Sequence, residues 1–249
     1  NQDFTLERSR EPFLLPYPWL PSRINRIARR NDVDLVVWDP AVPLGMIAPY
    51  VERPYAVVLH GAEVTVPARL PIARSFLGRV LDRASLVICA GGYPAAEAER
   101  TAGRSLPIVV IPPGVDTGRF VPLDKVERAS TRTELGLPVN APVVVAVTRL
   151  VPRKGIDTLI RAGGLLRTLF PDLVMAIAGT GRDERRLREL AQQSGATVRL
   201  FGRIPDNLLP GFLGSGDVFA MPCRSRWWGL EQEGFGIVFV EAAAVGIPQ

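Results

Sequence analysis

Short runs rich in Val and Ile, returning at intervals along the chain, limit its fold more than any other feature. DLVVWD (34–39), YAVVLHG (55–61), SLVICAGG (85–92) and IVVIPPG (108–114) alternate with segments of helical periodicity. A strand that is apolar on both sides must be covered on both sides, so the alternation predicts βαβ units around buried parallel sheets. One connecting segment, ARSFLGRVLDRA, is expected to put Phe76, Leu77, Val80 and Leu81 on one helical face and leave Arg74, Arg79 and Asp82 to water. A second series follows Pro142: APVVVAV, LVMAIAG, VRLFG and DVFAMPC, separated by helices such as DERRLRELAQQSG.

Between the two series, Gly114 to Pro142 loses the strand pattern, gathers charges and prolines, and carries VERASTRTELG, which reads as one exposed helix. The expected architecture is therefore α/β: two Rossmann-like, doubly wound parallel-sheet domains facing a cleft, the first over 1–122 and the second over 142–249, with a linker region at 123–141. Ligands are expected at the carboxyl ends of the strands.

Composition narrows the function. Lys and Arg number 30 against 25 for Asp and Glu, and most of the basic residues are Arg, which suits forked recognition of phosphate or carboxylate oxygens. The excess is too small, and too poor in lysine runs and aromatic stacking signatures, to indicate nucleic acid. Cys89 and Cys223 sit in apolar segments and read as buried free thiols; with one histidine and no cysteine pair at ligand spacing, no metal site is expected. No run approaches the roughly 18 apolar residues of a membrane span, and the chain reads as cytoplasmic. It begins at Asn1 and stops at Gln249 just past a helix, so both ends look cut and both domains incomplete.

The chemistry is concentrated in three places. EGFGIVFVEAAAVGIP (233–248) sets two carboxylates eight positions apart in apolar surroundings, and a carboxylate taken from water needs a partner. A helix is expected to begin near Phe235 or Gly236 and end at a glycine before Pro248, with Gly234 and Gly236 at an amino end suited to anions. Glu233 then precedes the helix and Glu241 lies on its second turn. Both could reach one hydroxyl-bearing ligand, or Glu241 could pair with a nearby Arg while Glu233 only favours the helix end. TRLVPRKG places Arg149 at a strand's carboxyl end and Lys154 near the next helix, an arrangement that suits a diphosphate. HGAE puts His60 at a strand's carboxyl end in the first domain, a weak signal alone. AGTGRDERR lacks the third glycine and the acidic residue of a dinucleotide fingerprint, and neither a Walker A motif nor a G-x-S-x-G elbow is present.

Taken together, RLVPRKG, AGTGRDE, LFGRI, DVFAMPCRSR and the E-x7-E segment EGFGIVFVE resemble the donor-binding half of retaining glycosyltransferases of family GT4, with the GT-B fold. MPCRSRWWGLEQEGFGIVFVEA is especially similar to the phosphatidylinositol mannoside mannosyltransferases of actinobacteria, and the resemblance runs from about Pro16 to the end. It implies a metal-independent hexosyl transfer with retention, from a nucleotide sugar (GDP-mannose) to a lipid acceptor such as a phosphatidylinositol mannoside, with the leaving diphosphate helping to deprotonate the acceptor. By matching position, Glu233 would contact sugar hydroxyls, Glu241 the ribose, and Arg149 and Lys154 the diphosphate. Backbone groups of Phe235, Gly236, Ile237 and Val238 would meet the phosphates, Gly202, Arg203 and Ile204 the base, and His60 the sugar's primary hydroxyl. The family's first strand with its glycine-rich loop, and everything after the E-x7-E helix, are expected to be missing. Trp227 and Trp228 occupy a loop that is small and glycine-rich in those mannosyltransferases.

Two further classes share parts of this pattern: a transferase with another nucleotide sugar and acceptor, and either a nucleotide-sugar 2-epimerase or a non-catalytic nucleotide-sugar binding module. PSRINRIARR after LLPYPWL reads by itself as a crossover helix burying Ile24 and Ile27. Its resemblance to a basic, membrane-facing helix of related mannosyltransferases implies instead a contact of Arg23, Arg26 and Arg30 with an anionic membrane surface, at the inner face of the cell membrane.

Overall fold

The computed structural model describes residues 6–8, 15–227 and 233–249, and the chain divides into two compact units, Asn1–Pro112 and Pro113–Gln249. All eight expected strands form. In the first unit, β1 (Val36–Trp38), β2 (Tyr55–Leu59), β3 (Leu86–Cys89) and β4 (Ile108–Val110) make a parallel sheet in the order β1-β2-β3-β4. Its strands follow one another in a single direction, so among the described residues this sheet has no reversal of strand order.

Among the described residues, α-helices α1 (Leu20–Arg30), α2 (Ala62–Arg69), α3 (Pro71–Asp82) and α4 (Gly92–Ala102) connect these strands or precede them, with a 3-10 helix, Leu44–Tyr50, between β1 and β2. The core of the unit is the pattern read from the sequence. Val57, Leu59, Val87 and Cys89 are fully buried, and α3 covers them with Leu77, Val80 and Leu81. Each such side chain removed from water contributes about 1.5–3 kcal/mol before entropy is counted. Tyr55 ties strand to helix, its hydroxyl donating to the Val80 carbonyl at 2.6 Å, and burial pushes the phenol up to about 12.

One expectation is corrected here, and the reading of α1 as a helix packed on the core is met. Phe76 precedes Leu77 and so lies about 100° around the helix from it, outside the core face. It is 38% exposed, with the Arg79 guanidinium over its ring. Helix α1 turns its apolar face inward: Ala28 is buried and Ile24 packs against the core, so that face is not available to lie in a membrane interface.

In the second unit, β5 (Val143–Val147), β6 (Val174–Ala178), β7 (Thr197–Gly202) and β8 (Val218–Phe219) form a parallel sheet in the order β7-β6-β5-β8. Strand order therefore reverses between β5 and β8, as in a doubly wound sheet. Alternate residues face two separate cores. Val143, Val145, Val174 and Ala176 meet Phe212, Leu213 and Ala242 on one side, while Ala146, Met175 and Ile177 meet Ile156, Ile160 and Leu187 on the other. Helices α5 (Lys125–Glu134), α6 (Ile156–Leu166), α7 (Glu184–Ser194), α8 (Leu209–Gly214) and α9 (Ile237–Ala244) accompany this sheet.

The second unit starts at Pro113, and Phe120 is already in its core. Helix α5 begins with a reciprocal capping box between Asp124 and Glu127 and is held to the sheet by Arg132, a buried residue that was expected on an exposed helix. Its Nε donates to Ser215 O at 2.8 Å, Nη1 to Val139 O at 2.8 Å and Ala141 O at 3.0 Å, and Nη2 to Asp217 Oδ2 at 2.8 Å. The same Oδ2 accepts the Val143 N–H at 2.7 Å, and Arg128 bonds the other carboxylate oxygen.

Burial alone would raise the Asp217 pKa, but the Val143 N–H and the two guanidinium groups outweigh it and hold it below the usual carboxylate range. A carboxylate whose pKa is lower folded than unfolded adds stability that is present above the unfolded value and lost as pH falls through the folded one. Asp217→Asn is expected to lower the unfolding free energy by about 2 kcal/mol near neutral pH, less than a fully buried pair because Asp217 is 39% exposed. Urea titrations should show the gap to the parent closing as pH drops below about 4. A gap absent at neutral pH, or unchanged with acid, would show that Asp217 does not carry this junction.

Candidate functional site

Ligand sites in open α/β sheets lie at the carboxyl ends of strands where their order reverses. In the second unit that point falls between β5 and β8, and the residues following these two strands meet there. Past β5 the chain runs through Arg149 into a 3-10 turn, Pro152–Lys154, and then into α6; past β8 it runs through Met221, Pro222 and Cys223. Gly155 joins turn to helix at φ 70°, and a Cβ there would stand 1.8 Å from the Pro222 carbonyl oxygen. Only glycine permits that backbone approach.

This contact brings three groups to one carboxylate. Lys154 Nζ donates to Glu233 Oε2 at 2.5 Å, Arg153 Nη1 donates to the same oxygen at 3.2 Å, and Cys223 Sγ lies 3.9 Å from it. The lysine, arginine and glutamate side chains are 9%, 15% and 22% exposed, so the cluster is largely withdrawn from water. Burial, reinforced by the Glu233 charge against Lys154 and Arg153, leaves the Cys223 thiol above its ordinary pKa. Among the described residues, two cations thus converge on the Glu233 carboxylate. Arg224 continues the assembly. Its N–H donates to Arg153 O at 2.9 Å and its guanidinium to Asp157 Oδ2 at 2.9 Å, at the start of α6.

Beside the cluster, a cavity of about 430 Å³ opens over the carboxyl ends of β5, β6 and β7, lined by Arg149, Thr148, Gly179, Arg203, Ile204 and Asp206 among others. Gly179, at φ 127°, sits so close to the Thr148 carbonyl that a Cβ would stand 1.7 Å from it. Arg149 and Arg203 are exposed and can turn towards an anion in the cavity; Gly202 closes β7 with φ 67° and Ile204 packs against the core beneath.

Helix α9 forms where the sequence put it. Gly236 is its N-cap, Ile237 starts it, Gly246 follows it with φ 76°, and Glu241 falls on the second turn. The N–H groups of its first turn have no acceptor within the helix. Phe235 and Gly236 are half-buried and Ile237 is 47% exposed, whereas the Val238 side chain belongs to the core, leaving only its backbone for a ligand. Burial pushes the Glu241 carboxyl up, the Arg119 charge opposes this, and Asp206, which also lines the cavity, adds to it. Arg119 donates to the Asp206 carbonyl and lies over the Phe120 ring at 4.9 Å.

The structure thus gathers Lys154 with Glu233, and Arg149 with Arg203 and Ile204, and sets Glu241 in the electrostatic company of the cavity. His60 belongs to the first unit. It follows β2, is exposed, and its Nε2 lies 3.2 Å from Asp39 Oδ2. Arg23, Arg26 and Arg30 project from α1 of that unit, Arg26 and Arg30 exposed and Arg23 half-buried. Trp227 is 55% exposed at φ 50° beneath the Arg226 guanidinium, and Trp228 lies outside the described residues. Sequence reasoning missed Arg153, Cys223, Arg119 and Asp206. The doubled basic pair in PRKG was the available signal for Arg153; the others become neighbours only through the fold.

Comparison with known proteins identifies the family and the fold. The profile of glycosyltransferase family 4 matches residues 4–119 and that of glycosyl transferases group 1 matches residues 127–249. A GDP-mannose-dependent alpha-(1-6)-phosphatidylinositol monomannoside mannosyltransferase of Mycolicibacterium smegmatis is 41% identical over 241 residues, covering 94% of this chain and 62% of the relative. A GDP-mannose-dependent monoacylated alpha-(1-6)-phosphatidylinositol monomannoside mannosyltransferase of Corynebacterium glutamicum is 33% identical, covering 99% of this chain and 65% of the relative. The chain thus spans somewhat under two thirds of the length of these relatives. Among solved structures, Anabaena HepE in complex with UDP superposes with a TM-score of 0.75 at 24% identity, covering 92% of this chain and 62% of that one. Sucrose-phosphate synthase from Thermosynechococcus elongatus gives 0.73 at 22% identity, covering 97% and 61%. These two likenesses concern the fold. The two family profiles between them account for nearly the whole chain, which belongs to the GT4 glycosyltransferases of GT-B fold.

Proposed function

We propose that this protein moves mannose from GDP-mannose, with retention, to a lipid acceptor of the phosphatidylinositol mannoside type. The observation that carries the reading is the cationic cluster of Lys154 and Arg153 on Glu233, set at the switch point beside the strand-end cavity. A nucleotide sugar has parts to match: a base and ribose for the cavity, a diphosphate for Lys154 and Arg149, and a sugar whose hydroxyls a carboxylate can accept. The names of the relatives supply the mannosyl donor and the lipid acceptor.

In this reading the residues act mainly by electrostatics. Negative charge grows on the diphosphate as the glycosidic bond breaks, and Lys154 and Arg149, once engaged with it, stabilise that charge and lower the barrier. The first-turn N–H groups of α9, from Gly236 to Val238, add fixed dipoles of the same sign. Glu233 accepts from the sugar hydroxyls and Glu241 from the ribose, while Gly202, Arg203 and Ile204 meet the base. The acceptor's proton leaves towards the departing diphosphate on the same face of the sugar.

The membrane surface belongs to the same proposal. Among the described residues no helix is long and apolar enough to cross a membrane. With the apolar face of α1 packed inward, contact rests on Arg23, Arg26 and Arg30, next to Trp19, which is 53% exposed. Each arginine near an anionic surface adds at most about 1 kcal/mol, so the association is weak and sensitive to salt.

Incubating the full-length protein with a panel of radiolabelled nucleotide sugars and lipid extract is expected to move label from GDP-mannose into lipid. Altered free donor would instead identify an epimerase, and binding without turnover a binding module. Arg149→Ala and Lys154→Ala are each expected to weaken GDP binding by about tenfold or more, the worth of a charge-assisted hydrogen bond to phosphate. Unchanged calorimetric affinity in both would remove the donor-site assignment. A raised Glu241 pKa means that this carboxylate gains its proton at a higher pH than an ordinary carboxylate, so GDP affinity should begin to drop above the usual carboxylate range as pH falls, and Glu241→Gln should flatten that profile. Parallel profiles for the two proteins would take Glu241 off the ribose. Flotation with phosphatidylinositol-containing vesicles should fall with added salt and when Arg23, Arg26 and Arg30 are changed together to Ser; equal flotation of parent and triple variant would rule the patch out.

A further inference from the structure

We propose that Arg153 is a positioning residue that retains the Glu233 carboxylate when an incoming diphosphate takes Lys154, so that the Lys154–Glu233 pair is a placeholder exchanged on donor binding. The inference rests on the donor-site reading above and goes beyond it, since that reading gives Arg153 no separate task.

Three observations carry it. First, Lys154 and Arg153 donate to one and the same oxygen, Glu233 Oε2, at 2.5 and 3.2 Å. A diphosphate arriving at the cluster must compete with that anion for Lys154. Second, the backbone beneath them is held on several sides. Lys154 N–H donates to Val151 O at 3.0 Å, Arg153 O accepts the Arg224 N–H at 2.9 Å, and Gly155 is pressed against Pro222. Arg224 is itself anchored on Asp157, which Arg186 approaches to 3.5 Å while binding Asp183. The exchange therefore falls to the side chains, with the turn fixed. Third, the two cations differ in the way the exchange needs. An ammonium on a flexible stem can swing its three donors from carboxylate to phosphate, whereas a planar guanidinium keeps a carboxylate in a set orientation. With Lys154 gone to the phosphate, Arg153 is left to hold Glu233 towards the sugar.

Removing the placeholder should then help the bare nucleotide. In the full-length protein, Glu233→Gln is expected to bind GDP more tightly than the parent, because Lys154 no longer has a rival for its charge. Arg153→Met is expected to leave GDP affinity within about twofold while kcat for transfer from GDP-mannose falls about tenfold or more, with little change in the donor KM. The double variant should be no slower than Glu233→Gln alone, since both act through one carboxylate. Arg153→Lys, which restores charge without the fork, should recover kcat only in part.

Equal or weaker GDP binding by Glu233→Gln overturns the placeholder, whatever happens to the folding of the arginine variants. A loss of GDP affinity in Arg153→Met as large as that in Lys154→Ala makes Arg153 a phosphate ligand and overturns its positioning role, as does a double variant whose losses multiply. Lys154→Ala separates the two levels: if it binds GDP as the parent does, the donor-site reading itself has failed, and the proposal with it.

Discussion

Backbone packed against backbone at the carboxyl end of the second sheet is the constraint from which the site geometry follows. A Cβ at Gly155 would meet the Pro222 carbonyl at 1.8 Å and one at Gly179 the Thr148 carbonyl at 1.7 Å, distances no side chain tolerates. With glycine at both places, the chain leaving β5 is pressed onto the chains leaving β6 and β8. The first contact sets the Pro152–Lys154 turn beneath Cys223 and next to Glu233; the second closes the floor of the strand-end cavity. A single methyl group at either glycine would have to part the strand ends, and cations and cavity would lose their common frame.

Charge then stiffens what backbone packing has brought together. Asp157, in the first turn of α6, is 13% exposed in its side chain and receives Arg224 and Arg186, and Arg186 also chelates Asp183 at 2.7 and 2.6 Å. Burial would raise the Asp157 pKa, but the hydrogen bond and charge of Arg224, with the charge of Arg186, bring it below the ordinary carboxylate value. A chain of alternating charges thus runs from α7 through α6 to the segment after β8. Such networks hold orientation more reliably than they add stability, because each buried ion must first give up its water. Orientation is what a diphosphate site asks of its cations.

The parallel strands were legible because a strand covered on both faces has to be apolar throughout, and VVVAV or VMAIA admits few other readings. Helix α9 was legible from its punctuation, glycine at the N-cap and glycine with proline beyond the end. What stayed hidden depended on distant neighbours. Arg132 looks like one more charge on an exposed helix until Asp217 and Ser215, more than eighty residues on, meet it. Phe76 satisfied the periodic pattern only loosely, and α1 shows an amphipathic stripe that fits a membrane or its own core equally well from sequence alone. Cys223 was read only as a free thiol because nothing in the sequence placed Glu233, ten positions on, beside it.

The two carboxylates of the E-x7-E segment show how spacing becomes chemistry. Glu233 lies before the helix and faces two cations at once, while Glu241 lies about 6 Å along the helix from Ile237, at 1.5 Å per residue. There burial raises its pKa, with Arg119 opposing and Asp206 assisting. One residue type is thus given two electrostatic conditions by a single turn into a helix: a carboxylate saturated with positive charge, and a desolvated one that gains from hydroxyl donors. A ligand with a diphosphate at one point and a diol at another would satisfy both.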